Sequence, residues 1–380
     1  MMKSNSKGEW VSQTLLYQMD RSVSGNRLLK YDVIRITAVF FVLLTHTSGV
    51  LLFMFPDAST EEFRIANIFN GFSRCCIPML VMLSGALLLN EDRKFDTRIF
   101  YRKHLLPILY LLAGWLSFYG VFFTFILPSL KHETVSPGAF WKYVLLLQGT
   151  RFPHLWYLYM LIGLYLIIPI LRLFVKRENK KYVIGIILAG FIVQNIGSTA
   201  DVFTLQSDIT VTGFLDNFML FPVKGYVIYL LLGWLVVNYE PGRSQKIFLY
   251  LSGSLSCIVS VVCTQLFFPA IPTIRAYLYS GNGVLPFFTG LSMFVLLSDL
   301  CGSRKTETPR IIRMSDLSFG VYVIHVAILE LFAQVVMPYH KGWNIPAYIA
   351  VLTAIAAGLS YLIVLGCSKV KHLKKVFYIR

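Results

Sequence analysis

The chain has 380 residues, 56% of them hydrophobic and only 14% charged, with a mean hydropathy of +0.65. An average soluble domain is about a quarter charged, so this composition excludes a soluble globular protein and makes lipid the expected solvent. The formal net charge of +16 does not point to nucleic acid, because Lys and Arg gather in short clusters between apolar runs rather than along one soluble face.

Lipid offers no hydrogen-bond partner to the backbone, so a spanning segment is a helix or part of a closed barrel. Continuous apolar runs of about 20 residues select helices, since barrel strands alternate. The fold class read from the sequence is therefore an all-α polytopic membrane protein with about ten transmembrane helices. Residues 1–30 form a polar, basic N-terminal segment. The first apolar run, 33–55, contains Arg35 and is too long for the core of a cleaved signal peptide, so it is expected to remain as the first helix. Further spans are expected at 66–89, 104–127, 154–174, 182–198, 215–237, 247–268, 283–300, 314–337 and 345–367. Residues 31–368 then make one membrane domain and 369–380 a basic tail. In the connection after the third span, residues 140–147 are apolar, too short to cross, and suited to the membrane interface.

Short cytoplasmic loops carry the excess of Lys and Arg. With both termini in the cytoplasm, 26 basic residues fall inside, counting Arg172 at the inner end of the fourth span, and 6 outside, with Arg35, Arg74 and Lys224 within spans. The clusters Arg93, Lys94, Arg98, Arg102, Lys103 and Lys176, Arg177, Lys180, Lys181 are inside on this reading, and Glu61 and Glu62 are outside.

Ionisable residues in a bilayer cost at least about 2.5–3.5 kcal/mol each on insertion scales, which makes them functional candidates. Arg35 and His46 share the first helix 11 residues apart, which is three turns plus about 20°, so they share a face about 16 Å apart along the axis. Arg35 also suits a snorkelling anchor, whereas a neutral imidazole is both tolerable near the membrane centre and usable as a base. Arg74 lies in the second span ahead of Pro78 and the Ser84-Gly85 pair, which can break or kink that helix. His325 sits mid-span in the ninth helix and Lys224 in the outer half of the sixth, where snorkelling also accounts for it. His154 opens the fourth span, and Trp156 and Tyr157 beside it also suit an interfacial aromatic belt.

The six cysteines show no ligand-like spacing, so no metal site or disulfide framework is expected. Walker A, Rossmann and Gly-x-Ser-x-Gly patterns are absent from the sequence, which leaves nucleotide hydrolysis and serine hydrolysis without support. No internal repeat of the kind many transporters carry is apparent.

Five segments together resemble the membrane family known as acyltransferase 3. They are Tyr31-Asp32-Val33-Ile34-Arg35-Ile36-Thr37-Ala38 followed by His46; Ser73-Arg74 through Ile77-Pro78 to Ser84-Gly85; Tyr101-Arg102-Lys103-His104-Leu105-Leu106-Pro107; His154-Leu155-Trp156-Tyr157-Leu158 with Gly163-Leu164-Tyr165; and Ser318-Phe319-Gly320-Val321-Tyr322-Val323-Ile324-His325. The fourth is similar to the subgroup that includes the O-acetyltransferase of enterobacterial common antigen. Relatives often have two arginines flanking one residue before the third helix, where this chain reads Arg102-Lys103-His104. Others carry an extra helix and a soluble esterase-like domain, so the membrane domain is expected to act alone or with a separate partner.

The resemblance implies a bacterial inner-membrane O-acyltransferase that moves an acyl group, commonly acetyl, from cytoplasmic acyl-CoA to a hydroxyl of an envelope glycan or lipid-linked sugar. Arg35, Arg102 and Lys103 are then expected to hold the CoA phosphates. His46 is expected to act as general base or transient acyl acceptor, and Arg74 to stabilise the oxyanion. His154, Trp156, Tyr157 and His325 are expected at the acceptor. The rival is a secondary transporter or exporter of a small molecule or glycan precursor, with the buried Arg and His residues forming a proton path.

Overall fold

The structure is a computed structural model, and it describes residues 27–131, 134, 138, 140–141, 154–201, 210–216, 225–271, 274, 278–336 and 344–377. Lys224 and most of 140–147 lie outside the described residues. The described chain is almost entirely helical: α1 Leu29–Met54, α2 Glu61–Ser73, α3 Cys76–Leu88, α4 Thr97–Leu130, α5 Trp156–Phe174, α6 Arg177–Ala200, a short α7 Val211–Asp216, α8 Val227–Asn238, α9 Arg243–Phe267, α10 Val284–Cys301, α11 Pro309–Val336, α12 Ile345–Cys367 and a terminal α13 Lys371–Val376. Among the described residues there is no strand, only an isolated bridge between Leu28 and Lys305.

Among the described residues nine helical stretches are long and apolar enough to cross a membrane, α2 and α3 counting as one. The predicted sixth span coincides with α8, whose 12 described residues are apolar but shorter than a full crossing. The predicted third and fifth spans are longer than expected, running Thr97–Leu130 and Arg177–Ala200.

Prolines explain the irregular points. Pro78 has no N–H to offer the Arg74 carbonyl, and the second span breaks at Arg74 and Cys75. Pro107 and Pro128 likewise cannot bond the carbonyls of Lys103 and Thr124, and α4 widens into π turns at Tyr101–Leu105 and Phe122–Ile126. The acidic start of α2 is capped by Thr60, whose Oγ1 accepts the Phe63 N–H at 3.2 Å while Glu61 and Glu62 complement the helix dipole.

α1 is the central helix, packed against α2, α3, α10, α11 and α12. Its alignment with α11 is parallel, because Arg35 meets Ser315 and His46 meets His325. At the start of both helices an ion network centred on the buried Asp32 fixes this register. Arg27 grips Asp32 through Nε at 2.8 Å and Nη2 at 2.6 Å, reaches Asp316 at 2.9 Å, and Thr306 donates to Asp32 at 2.6 Å. Asp32 is 2% exposed, so this carboxylate is matched rather than solvated. The tail returns to the bundle as well: the Trp115 indole donates to the Val376 carbonyl at 3.0 Å, and Phe377 is buried against Trp115.

The clusters named inside on the charge rule share one end of the bundle, tied together by Arg177, which bridges Glu91 at 2.9 Å and Asp92 at 2.7 Å. Arg172 adds bonds to the carbonyls of Leu88 and Arg93. Two apolar clefts of about 330 and 370 Å³ open on the flanks, one lined by Phe69, Phe72, Ile258 and Val261 and the other by Phe332, Ala354 and Leu362.

The tightest seam lies between α3 and α8. A Cβ on Gly85 would stand 1.9 Å from the Leu230 carbonyl oxygen, and one on Gly233 would stand 1.8 Å from that of Met82. Lipid supplies no hydrophobic drive for helix association, so such backbone contact is what small residues provide. Gly233→Ala is therefore expected to lower the thermal midpoint in detergent, overpacking costing about 1–3 kcal/mol. Gly163→Ala, where a Cβ meets nothing within 4 Å, serves as control, and equal midpoints for the two variants would contradict the seam.

Candidate active site

Three histidines converge, two from helices and His154 from the turn that precedes α5. The ring centroids of His46 on α1 and His325 on α11 are 5.0 Å apart, those of His154 and His325 5.5 Å, and those of His46 and His154 6.4 Å. His46 lies 17 residues into α1 and eight before its end, about 26 Å from one helix end and about 12 Å from the other. The cluster thus sits in the half of the bundle opposite the basic clusters. His154 and His325 are 1% and 0% exposed, whereas His46 retains partial access.

The polar atoms of this cluster are incompletely matched. His325 Nδ1 bonds the Tyr322 carbonyl at 2.5 Å, and its Nε2 has no hydrogen-bond partner among the described residues. Neither nitrogen of His154 makes a hydrogen bond of good geometry among the described residues; the Val323 carbonyl, which takes the Tyr119 hydroxyl at 2.8 Å, is its near neighbour. Tyr119 packs edge-on against His154 at 4.7 Å, and the Tyr322 hydroxyl bonds the His154 carbonyl. Buried polar atoms without partners are rare in folded proteins and mark places that bind or react.

Arg74 stands within electrostatic range of His46. Its Nε and Nη2 both donate to Asn70 Oδ1, at 2.9 and 2.7 Å, and its guanidinium lies 5.3 Å from the centre of the Tyr279 ring. Asn70 Nδ2 in turn donates to the Thr45 carbonyl at 2.8 Å and to Ser48 Oγ at 3.0 Å. Thr45 and Ser73 share a hydroxyl bond at 2.7 Å. Asn70 thereby ties Arg74 to the α1 turn that bears His46.

The other expected site residues fall in four places. Arg35 is half-buried, its Nη1 donating to Ser315 at 3.0 Å. Tyr157 turns inward, 5.2 Å from the Tyr322 ring and within electrostatic range of Arg35, so it stands between Arg35 and the histidines. Trp156 stays on the outside against Tyr226 at 5.7 Å. Arg102 and Lys103 are exposed on the first π turn of α4. His104, at the position of the second family cation, folds inward against Phe100 and Tyr165. Among the described residues no group of three His, Cys, Asp or Glu side chains is disposed to hold a metal ion.

Sequence reading passed over Asn70, Tyr119, Tyr322 and Tyr279. A signal existed for the first: Asn67, Asn70 and Arg74 recur at three- and four-residue steps, the spacing of one helix face.

A partly accessible imidazole and a fixed guanidinium within electrostatic range of it lie deep in the helical bundle, side chains of the kinds that can serve as a base and as an anion stabiliser. The chain belongs to the acyltransferase 3 family, whose model, described as an acyltransferase domain, matches residues 28–365. The protein is thus a membrane acyltransferase. No curated protein and no solved structure matches it.

If Asn70 positions Arg74, Asn70→Ala lowers the rate of acyl transfer by about ten- to hundredfold, hydrogen bonds to charged groups being worth about 1.5–3 kcal/mol. Thr47→Ala, which removes a buried hydroxyl bond to Thr353 next to the same turn of α1, is expected to cost markedly less. Equal losses, read as initial rates in membrane vesicles, would reduce Asn70 to a helix contact.

Proposed function

We propose that this acyltransferase takes its acyl group, most simply acetyl, from cytoplasmic acyl-CoA and delivers it to a hydroxyl of an envelope glycan or lipid-linked sugar. The reading places the basic end of the bundle in the bacterial cytoplasm and both termini with it, as the positive-inside asymmetry supports. The observation that carries it is the polar column from Arg35, past Tyr157 and Tyr322, to His46 and Arg74.

Arg102, Lys103 and Arg35 bind the CoA phosphates, arginine forks matching phosphate oxygens in both charge and geometry. The thioester arm extends along α1 to His46. The acceptor hydroxyl enters from the opposite side, with Trp156 at the mouth and His154 below, and His325 lies behind His46. His46 removes the hydroxyl proton as oxygen attacks the thioester carbon. Arg74 carries the negative charge of the tetrahedral intermediate, and collapse breaks the C–S bond and returns the proton to the CoA thiolate. Arg74 costs little to reorganise because Asn70 holds it in place before substrate arrives.

Sealed inside-out vesicles given radiolabelled acetyl-CoA test this directly. Label is expected in glycan with wild type and to fall about 10²- to 10⁴-fold with His46→Ala, the usual cost of losing a general base. Equal label with both proteins would remove His46 from the chemistry. Absence of label, with accumulation of solute in donor-free vesicles, would favour a transporter.

The donor half is tested apart. Arg102→Gln combined with Lys103→Gln is expected to raise KM for acetyl-CoA about tenfold or more with kcat little changed, as for uniform binding contacts. An unchanged KM would place the CoA phosphates elsewhere.

A further inference from the structure

Resting on the acyl-transfer reading, we infer that His325 is the positioning partner of His46, holding its N–H so that the opposite nitrogen faces the acceptor hydroxyl.

The tautomer of His325 follows from its own helix. Nδ1 stands 2.5 Å from the Tyr322 carbonyl oxygen, with the Val321 carbonyl alongside. A carbonyl only accepts, so Nδ1 is the nitrogen that carries hydrogen. In a neutral imidazole the other nitrogen then presents a bare lone pair. That nitrogen, Nε2, is buried and has no partner among the described residues. It is an acceptor without a donor, in a place where an unmet hydrogen bond costs about 1–3 kcal/mol.

His46 offers the matching donor. Its ring centroid is 5.0 Å from that of His325. Two imidazole radii of about 1.1 Å plus an N···N separation of about 2.9 Å give about 5.1 Å for a hydrogen-bonded pair. The planes are inclined at 53°, and the pairing requires the His46 ring to turn about its Cβ–Cγ bond to face Nε2. His325 cannot rotate in exchange without giving up the Tyr322 carbonyl. The side chains facing the pair from neighbouring elements are His154 on the approach to α5, Tyr119 on α4, Tyr322 on α11 and Arg74 at the α2–α3 break. None is a carboxylate, so His325 takes the orienting role that an acid fills in other base-and-orienter pairs.

The proton balance is closed. The hydroxyl oxygen forms its bond to the thioester carbon as its proton passes to the free nitrogen of His46. The resulting imidazolium keeps its second N–H on His325 Nε2. The C–S bond breaks, and the same proton leaves His46 for the thiolate. His325 gains and loses no proton over the cycle.

The test compares wild type with His325→Phe, which keeps ring volume without nitrogen, and His325→Gln, which keeps an amide N–H for Tyr322 and an oxygen acceptor for His46. With detergent melting confirming the fold, His325→Phe is expected to lower kcat about 100-fold or more while KM for acetyl-CoA and for acceptor stay within about threefold. His325→Gln is expected to recover at least about tenfold of that loss. A raised acceptor KM at unchanged kcat would make His325 a substrate contact, and Gln no better than Phe would make it a packing residue; either overturns the pairing. Ring ¹⁵N shifts of wild-type protein, assigned by difference from His325→Gln, supply a readout free of turnover: hydrogen on Nε2 of His325 would overturn it. Wild type that transfers no acetyl would sink the acyl-transfer reading itself, whereas an active His325→Phe enzyme would sink only this inference.

Discussion

The parallel register of α1 against α11 governs the rest of the structure. Two helices about 280 residues apart in sequence bring nothing apolar to each other that lipid would not also offer. Their alignment is instead specified by polar pairs: Arg27 and Asp32 with Asp316 at one end, Arg35 with Ser315 a turn later, and His46 with His325 beyond the midpoint. Each of those groups is expensive to insert alone. Matched in register, the cost of one is offset by the other, and a slip of one residue would part all the pairs at once. Because the helices run the same way, no short loop connects them, and the intervening bundle wraps around the pair.

That same wrapping assembles the reactive cluster. α5 brings His154 under the α1–α11 pair, α2 brings Arg74 to its flank, and Tyr119 of α4 closes the back through the Val323 carbonyl. The protein thereby holds one accessible imidazole among buried aromatic and imidazole rings. Hydroxyls and rings can be buried at modest cost in such a site, and the single guanidinium is tied to an amide before any substrate arrives.

Much of this was legible in the sequence. The apolar runs located the helices, and the face shared by Arg35 and His46 is borne out, since both meet α11. Helical period alone is enough for that. Where Pro78, Pro107 and Pro128 stand, the period breaks, and reading a continuous helix through Arg74 or Arg102 loses the phase. His154 looked like a headgroup-level residue because sequence gives depth along its own helix but not which neighbours roof it. Its burial depends on α4 and α11, far away in the chain. Asn70 was overlooked because an amide carries no charge to flag it, although its spacing from Arg74 was in plain view.

The Gly85–Gly233 crossing bears on how Arg74 behaves over time. Where α3 meets α8, main chain touches main chain with no intervening side chain to change rotamer. A contact of that kind has almost no soft modes of its own. The break at Arg74 and Cys75 is followed, about three turns on, by a main-chain contact with α8. A guanidinium held by Asn70 on one side of the break and backed by that seam on the other is placed when the chain folds, by the backbone rather than by rotamers.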